Sequence, residues 1–107
     1  MSHSAQVRNL RPVVLQLGRV VATRGVIESV ALERIQACIR DHACGDWGVV
    51  CAADRAENDR ALRRGGRILS AYAIDPSLRC EGFGVNTLWI ITEADRRATT
   101  VLLPEEY

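Results

Sequence analysis

Cysteine and histidine are the residues of this sequence that could bind a metal or act as nucleophile and base. The four cysteines are Cys38, Cys44, Cys51 and Cys80, and His42 lies between the first two. Zinc ligands usually come in pairs two to four residues apart, because one loop must direct two side chains at one ion. No Cys-x-x-Cys pair occurs, and Cys38 falls in an apolar helical pattern. We therefore expect buried or incidental thiols, with no metal and no cofactor.

The same residues do not make a complete catalytic set. A triad would have to use His42, since His3 is the other histidine, and Cys44 is too close in sequence to face its imidazole reliably. Nucleophile-elbow, Walker and His-Glu-x-x-His motifs are missing, and Gly82-x-Gly84 lacks the third glycine of a dinucleotide fingerprint. We therefore predict no catalytic residue, and we expect His42 to pack at the end of a helix and to bond the backbone.

A charged segment is the main candidate for binding a partner. The candidate residues are Asp54, Glu57, Asp59, Arg60, Arg63, Arg64 and Arg67. In the plainest interpretation they form a solvated helix whose charges pair with one another. They could also dock a protein or hold phosphates. The carboxylates weaken the positive field of the arginines, so a protein is favoured over nucleic acid.

Two turns carry further candidates. Trp47 lies between glycines in the turn at residues 45–48, where it either closes the core over a helix end or contacts a ligand or partner. Asp95, Arg96 and Arg97 form a polar turn between two predicted strands. That turn is either solvated or part of a docking surface.

Hydrophobic periodicity predicts the helices that position these residues. Residues 13–17 and 19–22 form a short strand or paired extended segment, and Thr23 can cap the next helix. Residues 26–43 are helical, with a break near residues 29–31, and Leu32, Ile35, Ile39 and His42 form one face. A third helix spans residues 53–64, where Asp54 and Glu57 resemble a capping box and two glycines end it.

After Gly65 and Gly66, apolar residues recur at every second position, which indicates strands. These cover residues 67–74, 87–92 and 99–103, and short polar connections predict an antiparallel meander. The second is apolar on both faces, so we expect it to be central and Trp89 to lie in the core. The predicted fold class is α+β: a short N-terminal strand, two to three helices, then a three-stranded antiparallel β-meander.

Length and composition limit the class of protein. The 107 residues suffice for one domain, of which residues 1–12 are polar and expected to be flexible. A net charge of +1 argues against coating DNA or an anionic membrane. We see neither the apolar stretch of a signal peptide nor a run long enough to cross a bilayer. We therefore expect a cytoplasmic protein without a membrane partner.

The most specific motif is TEADR at residues 92–96 followed by TTVLLPEEY at residues 99–107. With GDWG at residues 45–48 and LSAY at residues 69–72, it resembles a family of small proteins from proteobacterial plasmids and integrated elements. Members are often labelled type I restriction endonuclease subunit M. A methyltransferase subunit needs a nucleotide-binding domain and an Asn-Pro-Pro-aromatic motif, and 107 residues contain neither. The resemblance implies carriage on a mobile element and transfers no activity.

These observations favour a non-enzymatic binding protein of a mobile element. We expect a counter-defence inhibitor of the anti-CRISPR or anti-restriction type, whose partner is a host defence complex. The first alternative is a RelE-like ribonuclease toxin, for which Arg67, Arg96 and Arg97 are the candidate residues. The second is a nucleic-acid-binding accessory protein. The sequence leaves the oligomeric state open.

Overall fold

A computed structural model describes residues 11–107, so the expectation for residues 1–10 lies outside the described residues. The elements, in order, are β1 (Arg19–Ala22), α1 (Arg24–Ser29), α2 (Leu32–Ala43), α3 (Ala52–Arg64), β2 (Ile68–Ala73), β3 (Thr87–Thr92), β4 (Ala98–Leu102) and a short 3-10 turn (Pro104–Glu106). The predicted α+β class is confirmed, with three helices before the meander. Within the described part of the chain, no helix is long and apolar enough to span a membrane.

The four strands form one sheet in the order β1-β4-β3-β2. Strands β2, β3 and β4 are antiparallel, as predicted, and β3 lies inside the sheet. Strand β1 pairs in parallel with β4, and the register places Arg19 beside Ala98. The expectation for residues 13–17 is only partly right, because these residues do not join the sheet. Instead the amides of Val14 and Leu15 donate to the carbonyl of Ala43 at the end of α2.

The helix boundaries depend on local capping. Thr23 is the N-cap of α1 and its hydroxyl accepts a hydrogen bond from the amide of Val26, as predicted. The predicted capping box of α3 is wrong, because α3 begins at Ala52 with Cys51 as its N-cap and without a side-chain cap. Asp54 consequently lies in the first turn, where its negative charge complements the helix dipole.

One hydrophobic cluster lies between the first two helices and the sheet. Val26 of α1, Ile35 and Cys38 of α2, and Leu88 and Ile90 of β3 are its central residues. Leu32, which was predicted on this face, is 61 % exposed. That prediction is wrong because Leu32 is the first residue of α2, and the face that packs on the sheet begins one turn later.

Trp89 lies on the opposite face of β3 and is only half-buried, so its predicted place in the core is wrong. The helices cover the face of Leu88 and Ile90, whereas the C-terminal residues and the β2–β3 loop cover the other. The indole of Trp89 donates to the carbonyl of Gly82 at 2.9 Å and packs edge-on against Tyr107 at 5.8 Å between ring centroids. The face of β3 opposite α1 and α2 is therefore mixed: Trp89 is half-buried, whereas Thr87 and Ile91 on the same face are buried.

Glu106 connects the C-terminus to the start of α1. Its carboxylate accepts hydrogen bonds from the hydroxyl of Thr23 at 2.5 Å and from the amides of Leu103 and Gly25 at 2.8 and 3.1 Å. These bonds, the one from Thr23 first, hold the pKa of Glu106 below its ordinary value. The carboxylate also stands at a helix N-terminus, where negative charge is favourable.

We expect Glu106→Ala to lower the melting temperature by a few degrees, because three donors lose their acceptor. Thermal unfolding followed by circular dichroism measures the change. Glu105→Ala is the matched control, since Glu105 is an exposed neighbour outside this set of bonds. Equal melting temperatures for the two variants would show that the connection contributes nothing.

Candidate functional site

The cluster most like a catalytic set is a buried chain of hydrogen bonds centred on His42. Its Nδ1 contacts the hydroxyl of Ser70, and its Nε2 lies 2.8 Å from the hydroxyl of Thr92. Thr92 in turn bonds Thr99 at 2.7 Å, and the hydroxyl of Thr99 donates to the carbonyl of Leu17 at 2.7 Å. The chain links α2 to three strands, because these residues come from β2, β3 and β4.

This arrangement is structural. His42, Ser70, Thr92 and Thr99 are each 0 % exposed, so no substrate reaches them. Burial lowers the pKa of His42 to about 4, and the imidazole is therefore neutral at pH 7. The prediction that His42 packs at a helix end is confirmed, but the expected bond to the backbone is wrong, because both ring nitrogens contact side-chain hydroxyls. Sequence reasoning missed its hydroxyl partners, whose signal was a serine or threonine in each of three largely apolar strands.

The thiols are separated from one another. Cys38 is buried, which raises its pKa to about 11, while Cys51 is exposed and Cys44 and Cys80 are half-buried. Over residues 11–107, no three histidine, cysteine, aspartate or glutamate side chains converge as metal ligands would.

The sheet face opposite α1 and α2 carries a groove that α3 borders on one side. One part, of about 320 Å³, lies between Asp54, Glu57 and Asn58 of α3, Arg67 and Leu69 of β2 and its approach, and Tyr107. A second part, of about 370 Å³, continues past Asp54 and Leu69 to Trp89, Phe83 and Glu81. The two parts share Asp54 and Leu69, so we describe them together as the Trp89 groove.

The floor of the Trp89 groove is apolar and aromatic. Trp89 and Leu69 are half-buried, whereas Phe83 is 64 % and Tyr107 69 % exposed. The hydroxyl of Thr87 lies 3.1 and 3.0 Å from the carbonyl oxygens of Phe83 and Val85, so its one proton can be donated to either and ties the β2–β3 loop to β3. Because the backbone of the β2–β3 loop is held by a hydrogen bond, binding a partner at Phe83 costs little further backbone conformational entropy.

The rim of the groove is mainly acidic. Asp54, Glu57 and Glu81 stand along it, and Glu57 and Glu81 pair with Arg60 and Arg79. Among the described residues, Asp54 has no ion pair. Arg67 is the one cation lining the groove in that part of the chain, and its guanidinium lies 5.1 Å from the ring centroid of Tyr107, whose hydroxyl it also contacts. A cation–π contact of this kind keeps the Arg67 charge close to the ring.

The structure distributes the predicted residues of α3 over different surroundings. Asp54 and Glu57 line the Trp89 groove, and Arg67 joins them from the start of β2. Arg60 pairs with Glu57 on the solvent side, while Arg63 and Arg64 are exposed at the other end of the helix. Asp59 accepts a hydrogen bond from the indole of Trp47 at 2.8 Å.

Trp47 closes the core, which is the first of its two predicted roles. It is 1 % exposed and packs with Leu15, Ala61 and Ile68, with its ring edge-on to His42 at 5.8 Å. A side chain buried to this degree presents no surface to a partner. The indole nitrogen reaches Asp59, so a residue predicted for docking instead satisfies a buried donor.

Arg96 belongs to the scaffold. Its guanidinium donates to the carbonyls of Ala61 at 2.9 Å and Gly66 at 2.6 Å, which lie at the end of α3. Arg96 adds a second donor to the Ala61 carbonyl, which already accepts from the amide of Gly65, and its positive charge is favourable at the negative end of the helix dipole. Asp95 and Arg97 remain exposed at the β3–β4 turn, away from the groove. The structure therefore separates the two predicted docking regions.

Comparison with protein-family models, curated proteins and solved structures gave no match. The geometry and charge of the Trp89 groove are therefore the basis on which a function can be proposed. The resemblance drawn from residues 92–107 stays a prediction.

Proposed function

We propose that this chain is a binding protein that acts through protein–protein contact, and that the Trp89 groove is its docking surface. The observation that carries the proposal is the combination of exposed aromatic side chains with an acidic rim. Interface hot spots are enriched in tryptophan, tyrosine and arginine, and Trp89, Tyr107 and Arg67 adjoin one another in this groove.

The chemistry of the groove supports one kind of partner segment. Its floor accepts an apolar side chain against Trp89 and Leu69, and Asp54 on the rim can pair with a cation. We therefore propose a partner segment in which a lysine or arginine stands beside an apolar residue. Arg67 and Glu57 add a charge pattern that sets the orientation of that segment.

We further propose that the partner is a host defence complex in the cytoplasm, so that the protein is a counter-defence inhibitor of the anti-CRISPR or anti-restriction type. The support for this is the resemblance to a mobile-element family together with the carboxylate of Asp54, which has no ion pair among the described residues. Defence complexes that hold nucleic acid need basic surfaces, and an unpaired carboxylate can pair with a cation of such a surface.

The test is affinity purification from the natural host with two charge-reversed variants. We expect Asp54→Arg to weaken recovery of the partner by about tenfold or more, because a like charge then faces the partner's cation. Asp95→Arg is the matched control, since the same change is made at the exposed β3–β4 turn. Thermal unfolding of both variants checks that each is folded.

The results of this experiment test the docking surface and the counter-defence role separately. Loss of the partner in Asp95→Arg and retention in Asp54→Arg would move the docking surface to the turn. Recovery of a partner unrelated to defence, with unaltered phage plating, would remove the counter-defence role. RNA cleavage that Arg67→Ala abolishes would instead support the RelE-like alternative, and salt-sensitive DNA binding would support the accessory-protein alternative.

A further inference from the structure

The register of the sheet brings the start of three strands and the end of a fourth to one end of the molecule. Ile68 of β2 pairs with Thr92 of β3, and Thr92 pairs with Thr99 of β4. Arg19 of β1 pairs with Ala98 of β4. Neighbouring strands lie about 4.8 Å apart, so these positions form a row about 15 Å long.

Arginines surround this row because α3 and β1 both contact the β3–β4 turn. The guanidinium of Arg96 donates to the carbonyls of Ala61 and Gly66, which joins the turn to the end of α3. The carbonyl of Arg97 accepts from the amide of Arg19, which joins the turn to β1. We define the arginine end as the four exposed arginines around this turn: Arg19, Arg63, Arg64 and Arg97.

The arginine end has no carboxylate partners within the chain. None of its four residues forms an ion pair over residues 11–107, and residues 1–10 contain no aspartate or glutamate. Glu93 and Asp95 are the carboxylates of the β3–β4 turn, and Asp95 accepts a hydrogen bond from the amide of Arg97. With Arg96, five guanidinium groups stand against these two carboxylates, so this end is locally basic in a chain of net charge +1.

The carboxylates of α3 are engaged elsewhere. Asp54 lines the Trp89 groove, Glu57 forms an ion pair within the helix, and Asp59 accepts a hydrogen bond from a buried indole. The weakening of the positive field that the sequence predicts is therefore smaller at Arg63 and Arg64 than their neighbours along the chain indicate.

The surroundings of the arginine end suit phosphate groups better than a protein. Protein interfaces have an apolar core that is depleted of charge. No large hydrophobic side chain is exposed within residues 60–67 or 93–98, although Val20 and Val21 are exposed beside Arg19. Arginine binds phosphate bidentately, and most contacts to a nucleic-acid backbone are of this polar kind.

We propose that the arginine end binds the phosphate backbone of a double-stranded nucleic acid without reading its sequence. A row about 15 Å long spans roughly four phosphates of one strand, which rises about 3.4 Å per residue in B-DNA. Proteins that bind single strands stack bases on aromatic side chains, and the exposed Phe83 and Tyr107 line the Trp89 groove instead. The arginine end shares no residue with that groove, so binding there goes beyond the proposed function and does not depend on it.

Fluorescence anisotropy with a labelled DNA duplex of about 20 base pairs tests the proposal between about 50 and about 200 mM salt. We expect a dissociation constant on the order of 10⁻⁵ M and a slope of about −3 to −4 in log affinity against log salt. Arg64→Ala and Arg97→Ala should each weaken binding and reduce the size of the slope by about one. Arg55→Ala is the matched control, because Arg55 is an exposed arginine at the other end of α3, and it should change neither quantity. Thermal unfolding checks that each variant is folded.

Asp95→Asn gives a measurement that does not depend on loss of binding. The variant keeps an acceptor for the amide of Arg97 and removes a negative charge, so it should strengthen binding by about twofold or more. Absence of duplex binding at about 50 mM salt would overturn the proposal, as would equal effects of Arg55→Ala and Arg97→Ala. Tighter binding of a polyglutamate peptide would assign the arginine end to an acidic protein, and tighter binding of a single strand would exclude the duplex. Duplex binding without a protein partner in the Trp89 groove would support the accessory-protein alternative, whereas both together would support two separate binding surfaces.

Discussion

Trp47→Ala is expected to lower the free energy of unfolding by about 3–5 kcal/mol. The side chain is 1 % exposed and fills the space between Leu15, Ala61 and Ile68, so its removal leaves a large cavity. The substitution also leaves the carboxylate of Asp59 without the indole donor. Both effects act in the same direction, and a loss of this size is a large fraction of the stability of a small domain.

Urea unfolding followed by circular dichroism measures this loss. Trp89→Ala is the matched control, because the same residue type is removed from a half-buried site. We expect the control to lose clearly less stability. If Trp89→Ala destabilises the protein as much as Trp47→Ala does, Trp47 is not the main closure of the core. The same pair of variants should separate stability from binding, since only Trp89 lies in the groove.

Lowering the pH from 7 to 4 is expected to remove about 3 kcal/mol of stability through His42 alone. Burial lowers its pKa in the folded protein to about 4, against an ordinary value of 6.5. Between these values the unfolded chain binds a proton that the folded chain does not, so falling pH favours unfolding. The stability is fully present above pH 6.5 and is lost as the pH falls through 4.

Unfolding free energies measured in steps between pH 7 and pH 5 test this, because most carboxylates stay ionised over that range. His42→Gln should remove the part of the slope that His42 contributes, while His3, the other histidine, is the same in both proteins. Its stability at pH 7 will itself be lower, but the comparison rests on the slope. A variant with the slope of the unaltered chain would assign the pH dependence to other groups.

Period-two patterns were strong enough to predict the meander. The predicted bounds of β3 are correct. This strand has a neighbour on each side, and such central strands are rich in apolar and β-branched residues, which makes them easy to delimit in a sequence. The start of α3 was missed because Cys51 is an N-cap without a side-chain hydrogen bond, which leaves no sequence signal. The parallel pairing of β1 was also out of reach, since a strand of four residues has too little periodicity to indicate its partner.

The candidate site was predicted only in part, because charge identified some of its residues and no sequence pattern identified the others. Asp54, Glu57 and Arg67 were identified by charge, and the structure does bring them together. Tyr107 and Phe83 were missed because exposed aromatics at a chain end and in a loop have no periodic pattern. Arg96 was identified by charge too, although it binds the end of α3. Charge alone does not distinguish an arginine that caps a helix from one that meets a partner.

The pairing of β1 with β4 has a consequence for how the chain folds as it is made. The first strand finds its partner only among the last residues, and Glu106 bonds α1 near the other end of the sequence. Until residues 98–107 have emerged from the ribosome, neither contact can form. Contacts between such distant residues slow folding, because a long loop must close before they form. We therefore expect the domain to fold only after this last strand and Glu106 have been made.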